Sequence, residues 1–323
     1  MNKKICRLYI FDLIRAIAVL LVLFGHCFLH ALNIDLRIHG IGVGMFFFIS
    51  GYLISLTLER NNSISFIRQR FFRLVPVLIF VILTFSIIKF IIKKSSFNAI
   101  FINLTQGIFF IGDFFENYGI AGIDTWTLNT EVRFYLIIWL VYYFFKQNFT
   151  KNMHKFIISI YCTFFVIFFP IFFYAPKSST FQDATFNTHC VVYLFFGVFY
   201  FLYDNKKISI KELILYFIIN YLTILILKLF IYKNISYNID LYMIGMIISL
   251  CFVLSAKYFQ PNKVISYIAK ISYSIYIIHH PFVFHFGFFG IIMTFVISHF
   301  TYKYIEMPFI QYGKNRHIVF KNI

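Results

Sequence analysis

The sequence predicts an all-α, polytopic integral membrane protein: about ten transmembrane helices around an internal cavity, with both termini cytoplasmic. Three observations carry this expectation. Hydrophobic residues make up 61% of the 323-residue chain and charged residues 13%, more apolar surface than a soluble domain of this length can bury. Runs of about 20 apolar residues recur throughout, long enough to cross a bilayer as helices and lacking the short alternation of barrel strands. The formal charge of +17 is sorted by side: of 29 basic residues, 20 fall in alternate connections and at the termini, and only seven on or near the opposite side. That bias orients the chain and argues against nucleic-acid binding.

The spans fall at 8–30, 41–58, 74–93, 126–145, 156–174, 189–203, 213–231, 241–256, 264–284 and 286–305. The first imitates a secretory signal. Its interior Arg15, its span length and its lack of a small-x-small cleavage site indicate that it is retained. The longest non-spanning stretch, 94–125, is expected outside. Its apolar part, 97–111, is too short to cross comfortably and suits an interfacial or re-entrant segment. Gly107, Gly112, Gly119 and Gly122, with Asp113, Glu116 and Asp124, make the remainder a polar loop able to cover an external acceptor site. Residues 1–312 are expected to form one transmembrane domain and 313–323 a short basic cytoplasmic tail. No internal repeat, coiled coil or soluble appendage is expected. The five cysteines, Cys6, Cys27, Cys162, Cys190 and Cys251, show neither disulfide nor metal spacing and read as small core residues.

Four groups of polar residues stand out within these spans. Arg15 and His26 lie eleven residues apart on the first; a helix brings them to within about 20° of one azimuth and roughly 16 Å apart along its axis. Asp12 shares the stripe. Ionisable groups in a bilayer are costly, so such a stripe faces a cavity or a reaction path. Arg70 and Arg73 stand one turn apart beside Arg68, and their planar forks suit phosphate; an ordinary positive-inside anchor for lipid head groups is the alternative. Glu131 enters the membrane from outside about one and a half turns below Trp126, with Thr127 and Tyr135 on its face. Arg133 lies about 200° around from it and serves another contact. Ser272, Tyr276 and His279 share a face of the ninth span, where polar helix packing and chemistry are equally open. His189 and His299 read as structural.

Taken in order, these residues carry a resemblance. The elements are Phe11-Asp12-Leu-Ile-Arg15-Ala, Arg15-x10-His26, Gly42-Val-Gly-Met-Phe-Phe-Phe-Ile-Ser50-Gly51, Arg70-x-x-Arg73, Trp126-Thr-Leu-x-x-Glu131-x-x-Phe134-Tyr135, Ile271-Ser-Tyr-Ser-Ile-Tyr-Ile-Ile-His279 and Tyr304-Ile-Glu306-Met-Pro308-Phe. Each is weak alone; their shared order along the chain is specific. The chain resembles the membrane-bound acyltransferase-3 family from end to end. It departs from the family at Gly44, where members usually carry Asp, at Val132-Arg133 in place of a common Glu-Gln pair, and at His280 in a usual Trp position. These departures bear on acceptor specificity. No extracellular hydrolase-like domain is expected, so chemistry is expected within the membrane unit or with a partner.

The resemblance implies a bacterial inner (cytoplasmic) membrane O-acyltransferase. It would move an acyl group, most often acetyl, from acyl-coenzyme A to a hydroxyl of a surface glycan (O-antigen, capsule or exopolysaccharide) or its lipid-linked precursor. Acetyl-coenzyme A is then a donor substrate; no bound cofactor, metal or nucleic acid is expected, and membrane lipids are partners. Arg70 and Arg73, with Arg68, would hold the donor's phosphates, and Arg15 would guide the donor or stabilise charge near the thioester. His26 would act as general base or as transient acyl carrier, with Glu131 orienting it or stabilising its imidazolium. Asp12, Ser50, Trp126, Tyr135, Tyr276 and His279 would support them. The rival expectation is a transporter or flippase for a lipid-linked saccharide, which the lack of inverted repeats and interrupted helix pairs disfavours.

Overall fold

The computed structural model describes residues 3–32, 37–60, 63–93, 96–114, 119–120, 123–145, 157–166, 187–231 and 239–314. Helix α1 (Lys3–Leu32) runs for 30 residues, about 45 Å, and so outspans a hydrocarbon core of about 30 Å. Helix α2 (Ile38–Arg60) follows. Helix α3 (Ser63–Lys93) begins eleven residues before the expected span, so Arg68, Arg70 and Arg73 stand on it rather than on a loop. Pro76 removes one backbone donor without ending the helix. Close by, the Tyr273 hydroxyl donates to the Leu74 carbonyl at 2.8 Å.

Helix α4 (Phe97–Ile108) is 12 residues long, too short to cross. It lies on α3, where the Asn103 amide donates to Ser86 Oγ at 3.2 Å. A two-residue antiparallel pairing of β1 (Gly119–Ile120) with β2 (Ile123–Asp124) leads into α5 (Trp126–Phe145). Next come α6 (Ile157–Val166), α7 (Val191–Asp204) and α8 (Ile210–Ile231). The expected span at 156–174 lies partly outside the described residues. A reciprocal capping box opens α8: the Ser209 N–H donates to Glu212 Oε2 at 2.6 Å and the Glu212 N–H to Ser209 Oγ at 3.3 Å. Helix α9 (Ile239–Leu254) precedes α10 (Lys263–Thr301), whose N-cap Asn262 accepts from the Val264 and Ile265 N–H groups.

Helix α10 is a hairpin. Gly287, at φ 52° and ψ −127°, breaks its helical backbone, a conformation open chiefly to glycine. Beyond it the chain returns: the Tyr267 hydroxyl meets His299 Nδ1, and the Ser274 hydroxyl donates to Glu306 Oε2 at 2.6 Å. Residues 32 apart on a straight helix would be separated by about 48 Å. The two legs correspond to the last two predicted spans. A π-helical turn at Tyr302–Glu306 connects to α11 (Met307–Lys314), which stacks Phe309 on Phe72 of α3 and sets Tyr312 edge-on to it.

Helix α2 is the hub, packed on by α1, α5, α7 and α9. In a bilayer, helix association rests on close packing rather than on a hydrophobic driving force, so small residues mark the crossings. A Cβ on Gly51 would lie 2.0 Å from the Leu194 carbonyl oxygen of α7, and one on Gly44 2.2 Å from the Tyr242 carbonyl oxygen of α9. The latter contact accounts for the absence of Asp at position 44. Helix α7, apolar all round, is buried from Val191 to Leu202. Five segments among the described residues are long and apolar enough to cross a membrane: Tyr9–Leu29, Ile38–Arg60, Ile64–Ile92, Ile210–Leu227 and Lys263–Lys314. The protein is a helical, multi-pass membrane protein. The reading of the cysteines as core residues needs correction: Cys27 and Cys190 are buried, but Cys162 and Cys251 face outward, where an apolar residue meets lipid rather than protein.

Candidate active site

The polar residues of the spans converge in two places, joined along α1 and α10. The first is a cavity of about 90 Å³ enclosed by α1, α2, α3, α5 and α10. Arg15, Ser50, Arg70, Arg73, Glu131 and Tyr276 line it, with Thr127, Tyr135, Ser272 and Tyr273 completing its polar wall. Glu131 Oε1 accepts hydrogen bonds from Ser50 Oγ at 2.9 Å and from the Tyr135 hydroxyl at 2.5 Å. The Arg70 guanidinium sits 5.5 Å from the ring centres of Phe66 and Tyr135 and donates to Thr57 Oγ1 at 2.8 Å. Three guanidinium groups thus face one carboxylate across the cavity. Asp12, bonded to Ser266, and Glu306, bonded to Ser274, stand behind the wall, so the lining itself carries three guanidinium groups against one carboxylate. A low-dielectric pocket with this excess of cations is a receptor for an anion.

The second place is a cluster of imidazoles on the far side of Tyr276. His26 of α1 stacks on His39 of α2 at 4.8 Å between ring centres; His279 and His280 of α10 lie 5.3 Å and 5.7 Å from His26. His279 is fully buried, and its Nδ1 is 2.6 Å from the Tyr276 carbonyl oxygen. A carbonyl only accepts, so His279 Nδ1 carries a proton, which leaves Nε2 as the nitrogen that can accept one. Ring stacking between His26 and His39 does not aim two lone pairs at a common point. Among the described residues no group of His, Cys, Asp and Glu is arranged to hold a metal ion. Tyr276 bridges the two places: its ring lies 5.6 Å from that of His279, and its hydroxyl accepts from Thr127 Oγ1 at 2.5 Å.

This arrangement departs from the expected one at several positions. Glu131 joins Ser50, Tyr135 and the arginines; its hydrogen bonds do not go to His26. Arg68 is not among the residues lining the cavity with Arg70 and Arg73, because its azimuth on α3 is about 140° from that of Arg73. Trp126 packs edge-on to Phe47 at 6.3 Å and beside Tyr242, at the start of α5. His39 was missed by sequence reasoning, and His280 entered it only as a departure from a pattern. His39 shares no helical stripe with another ionisable group, whereas His280 lies four residues after Tyr276 and within about 40° of its azimuth, a signal that periodicity offered. The separate contact expected of Arg133 is with Asp113, at 2.8 Å and buried, where the Asn187 amide donates to the other carboxylate oxygen at 2.9 Å.

Comparison with known proteins bears on this site. A family model described as an acyltransferase domain matches residues 8–312. The chain belongs to the acyltransferase-3 family. Within that span lie both the arginine cavity and the imidazole cluster of this acyltransferase-3 protein. It is 32% identical over 174 residues to the O-acetyltransferase OatA of Staphylococcus aureus strains NCTC 8325 / PS 47, COL and MRSA252. Those matches cover 46% of this chain and 27% of each relative, so the acyltransferase-3 chain spans about a quarter of their length. No solved structure matches it.

Proposed function

We propose that the protein is an O-acetyltransferase that takes acetyl from cytoplasmic acetyl-coenzyme A and delivers it to a hydroxyl of an envelope glycan or its precursor. Family membership and the partial likeness to an O-acetyltransferase support the reaction class. The observation that carries the reading is the two-part site itself: an arginine-lined cavity and an imidazole cluster at opposite ends of one stripe on α1. In this reading both termini and the arginine cavity are on the cytoplasmic side of about ten spans, and the imidazoles lie toward the outside.

Arg70 and Arg73 hold donor phosphates at the cavity mouth, and Arg15 follows the donor inward. The acceptor hydroxyl oxygen attacks the thioester carbonyl carbon while His26 takes the hydroxyl proton. The C–S bond breaks, and the leaving thiolate regains a proton as free thiol. Glu131 keeps the three guanidinium groups from repelling one another between turnovers. The test is mass spectrometry of surface glycans from cells carrying the wild-type chain or His26→Gln at equal protein level. The expected result is loss of one acetyl mass per modified sugar, with transfer falling by about 10²–10⁴-fold. Normal acetylation refutes the base assignment, and loss of the glycan itself in cells lacking the protein points instead to transport.

A further inference from the structure

Between the second half of α3 and the α10 hairpin runs a groove of about 940 Å³, separate from the arginine cavity. Its walls are apolar, from Phe85 and Ile88 on one side to Phe282 and Met293 on the other, and its edge residues Ile92 and Phe284 are strongly exposed. Along α3 it extends from Phe80 to Ile92, about 18 Å. Both walls belong to segments apolar enough to cross a membrane, and most of the lining side chains are hydrocarbon, which suits an occupant that is hydrocarbon for most of its length. Its polar groups are Thr84, Lys89, His280 and His285, and no carboxylate lines it among the described residues. The inner end is His280, whose ring is 5.7 Å from that of His26.

We infer that this groove admits the acceptor sideways from the bilayer, as a saccharide joined through phosphate to a long hydrocarbon chain. The chain lies against Phe85 and Phe282. The phosphate is met by the Lys89 ammonium and by imidazole N–H groups of His280 and His285, donors complementary to an anionic head group. The saccharide hydroxyl then reaches His26 past His280. This rests on the acetyl-transfer reading and narrows its acceptor from any glycan to a lipid-borne one. A water-borne acceptor needs neither an apolar approach nor a cation beside it.

The full chain is reconstituted in nanodiscs of phosphatidylglycerol and phosphatidylethanolamine, exposed to a diazirine-bearing polyprenyl phosphate and irradiated, and the labelled peptides are mapped. Labelling is expected at 80–92 and 278–297 despite the excess of phosphatidylglycerol, and to fall at least fivefold in Met293→Trp, which fills the groove. Ile88→Trp is the second variant should the first lose its thermal transition. Labelling spread evenly over the lipid-facing helices, or indifferent to both tryptophans, overturns the proposal in favour of ordinary lipid. A parallel assay with acetyl-coenzyme A separates it from the underlying reading. If the wild-type chain acetylates neither lipid-linked nor released saccharide, the transferase reading fails while the groove labelling stands. If it acetylates both and Met293→Trp slows both equally, the groove proposal fails while the transferase reading stands.

Discussion

Arg73 and Glu131 face each other across the same small cavity, yet their removal should move donor kinetics in opposite directions. Arg73→Ala takes away a charge-assisted contact worth ~1.5–3 kcal/mol. The donor KM should therefore rise by about ten- to a hundredfold with a smaller change in kcat. An unchanged response to donor concentration would refute the clamp. Glu131→Gln keeps an oxygen for Ser50 and Tyr135 but removes the one carboxylate lining the cavity. The anionic donor should then bind more tightly, lowering KM several-fold, while release of coenzyme A slows and kcat falls. A loss confined to kcat would return Glu131 to the base-orienting role expected from sequence. Initial rates over a range of acetyl-coenzyme A concentrations distinguish the two.

At the scale of elements, the connection between α4 and α5 is anchored by charge. Arg133 on the side of α5 away from the cavity reaches Asp113, lies 4.9 Å from the Phe114 ring centre, and shares Asp113 with Asn187, just ahead of α7. All three polar residues are buried. Asp113→Ala leaves a guanidinium without its counter-charge and should cost ~3–5 kcal/mol, whereas combining it with Arg133→Met should recover most of that loss. Thermal unfolding in detergent reads both; equal destabilisation by the single and double variants would mean that the pair contributes packing alone. The same two positions explain a departure from the family pattern, since an Arg at 133 is of use where an Asp stands twenty residues earlier.

At the scale of the molecule, α1 leads away from Lys3 toward His26, and α11 returns to the arginine-bearing end of α3 through Phe309 and Tyr312. Both ends of the described chain therefore stand at one end of the bundle, with the imidazoles toward the other. In a variant whose native cysteines are replaced, a cysteine at Arg37 should react with an impermeant maleimide on intact cells. One at Gln311 should react only after permeabilisation. Reversed labelling would invert the direction of transfer proposed above. Both positions are exposed, so access to reagent rather than burial decides the outcome.

Much of the fold was legible because hydropathy, span length and charge bias are local properties. The ten apolar runs coincide with helices or their described parts, and even the hairpin at Gly287 fell between two predicted spans. The stripe of Asp12, Arg15 and His26, and that of Thr127, Glu131 and Tyr135, follow from helical periodicity within one segment. Which stripe meets which is a matter of helix rotation and close approach, set at α2 where Gly44 and Gly51 let neighbouring backbones come near. The sequence by itself determined a multi-pass helical protein with an arginine pair and a stripe of Asp12, Arg15 and His26. Only the tertiary structure assigned Glu131 to the arginines, gathered His39, His279 and His280 around His26, and opened an apolar groove beside them. The reason is physical: a helix fixes the azimuth of its own side chains, whereas contacts between helices depend on packing among residues far apart in the chain.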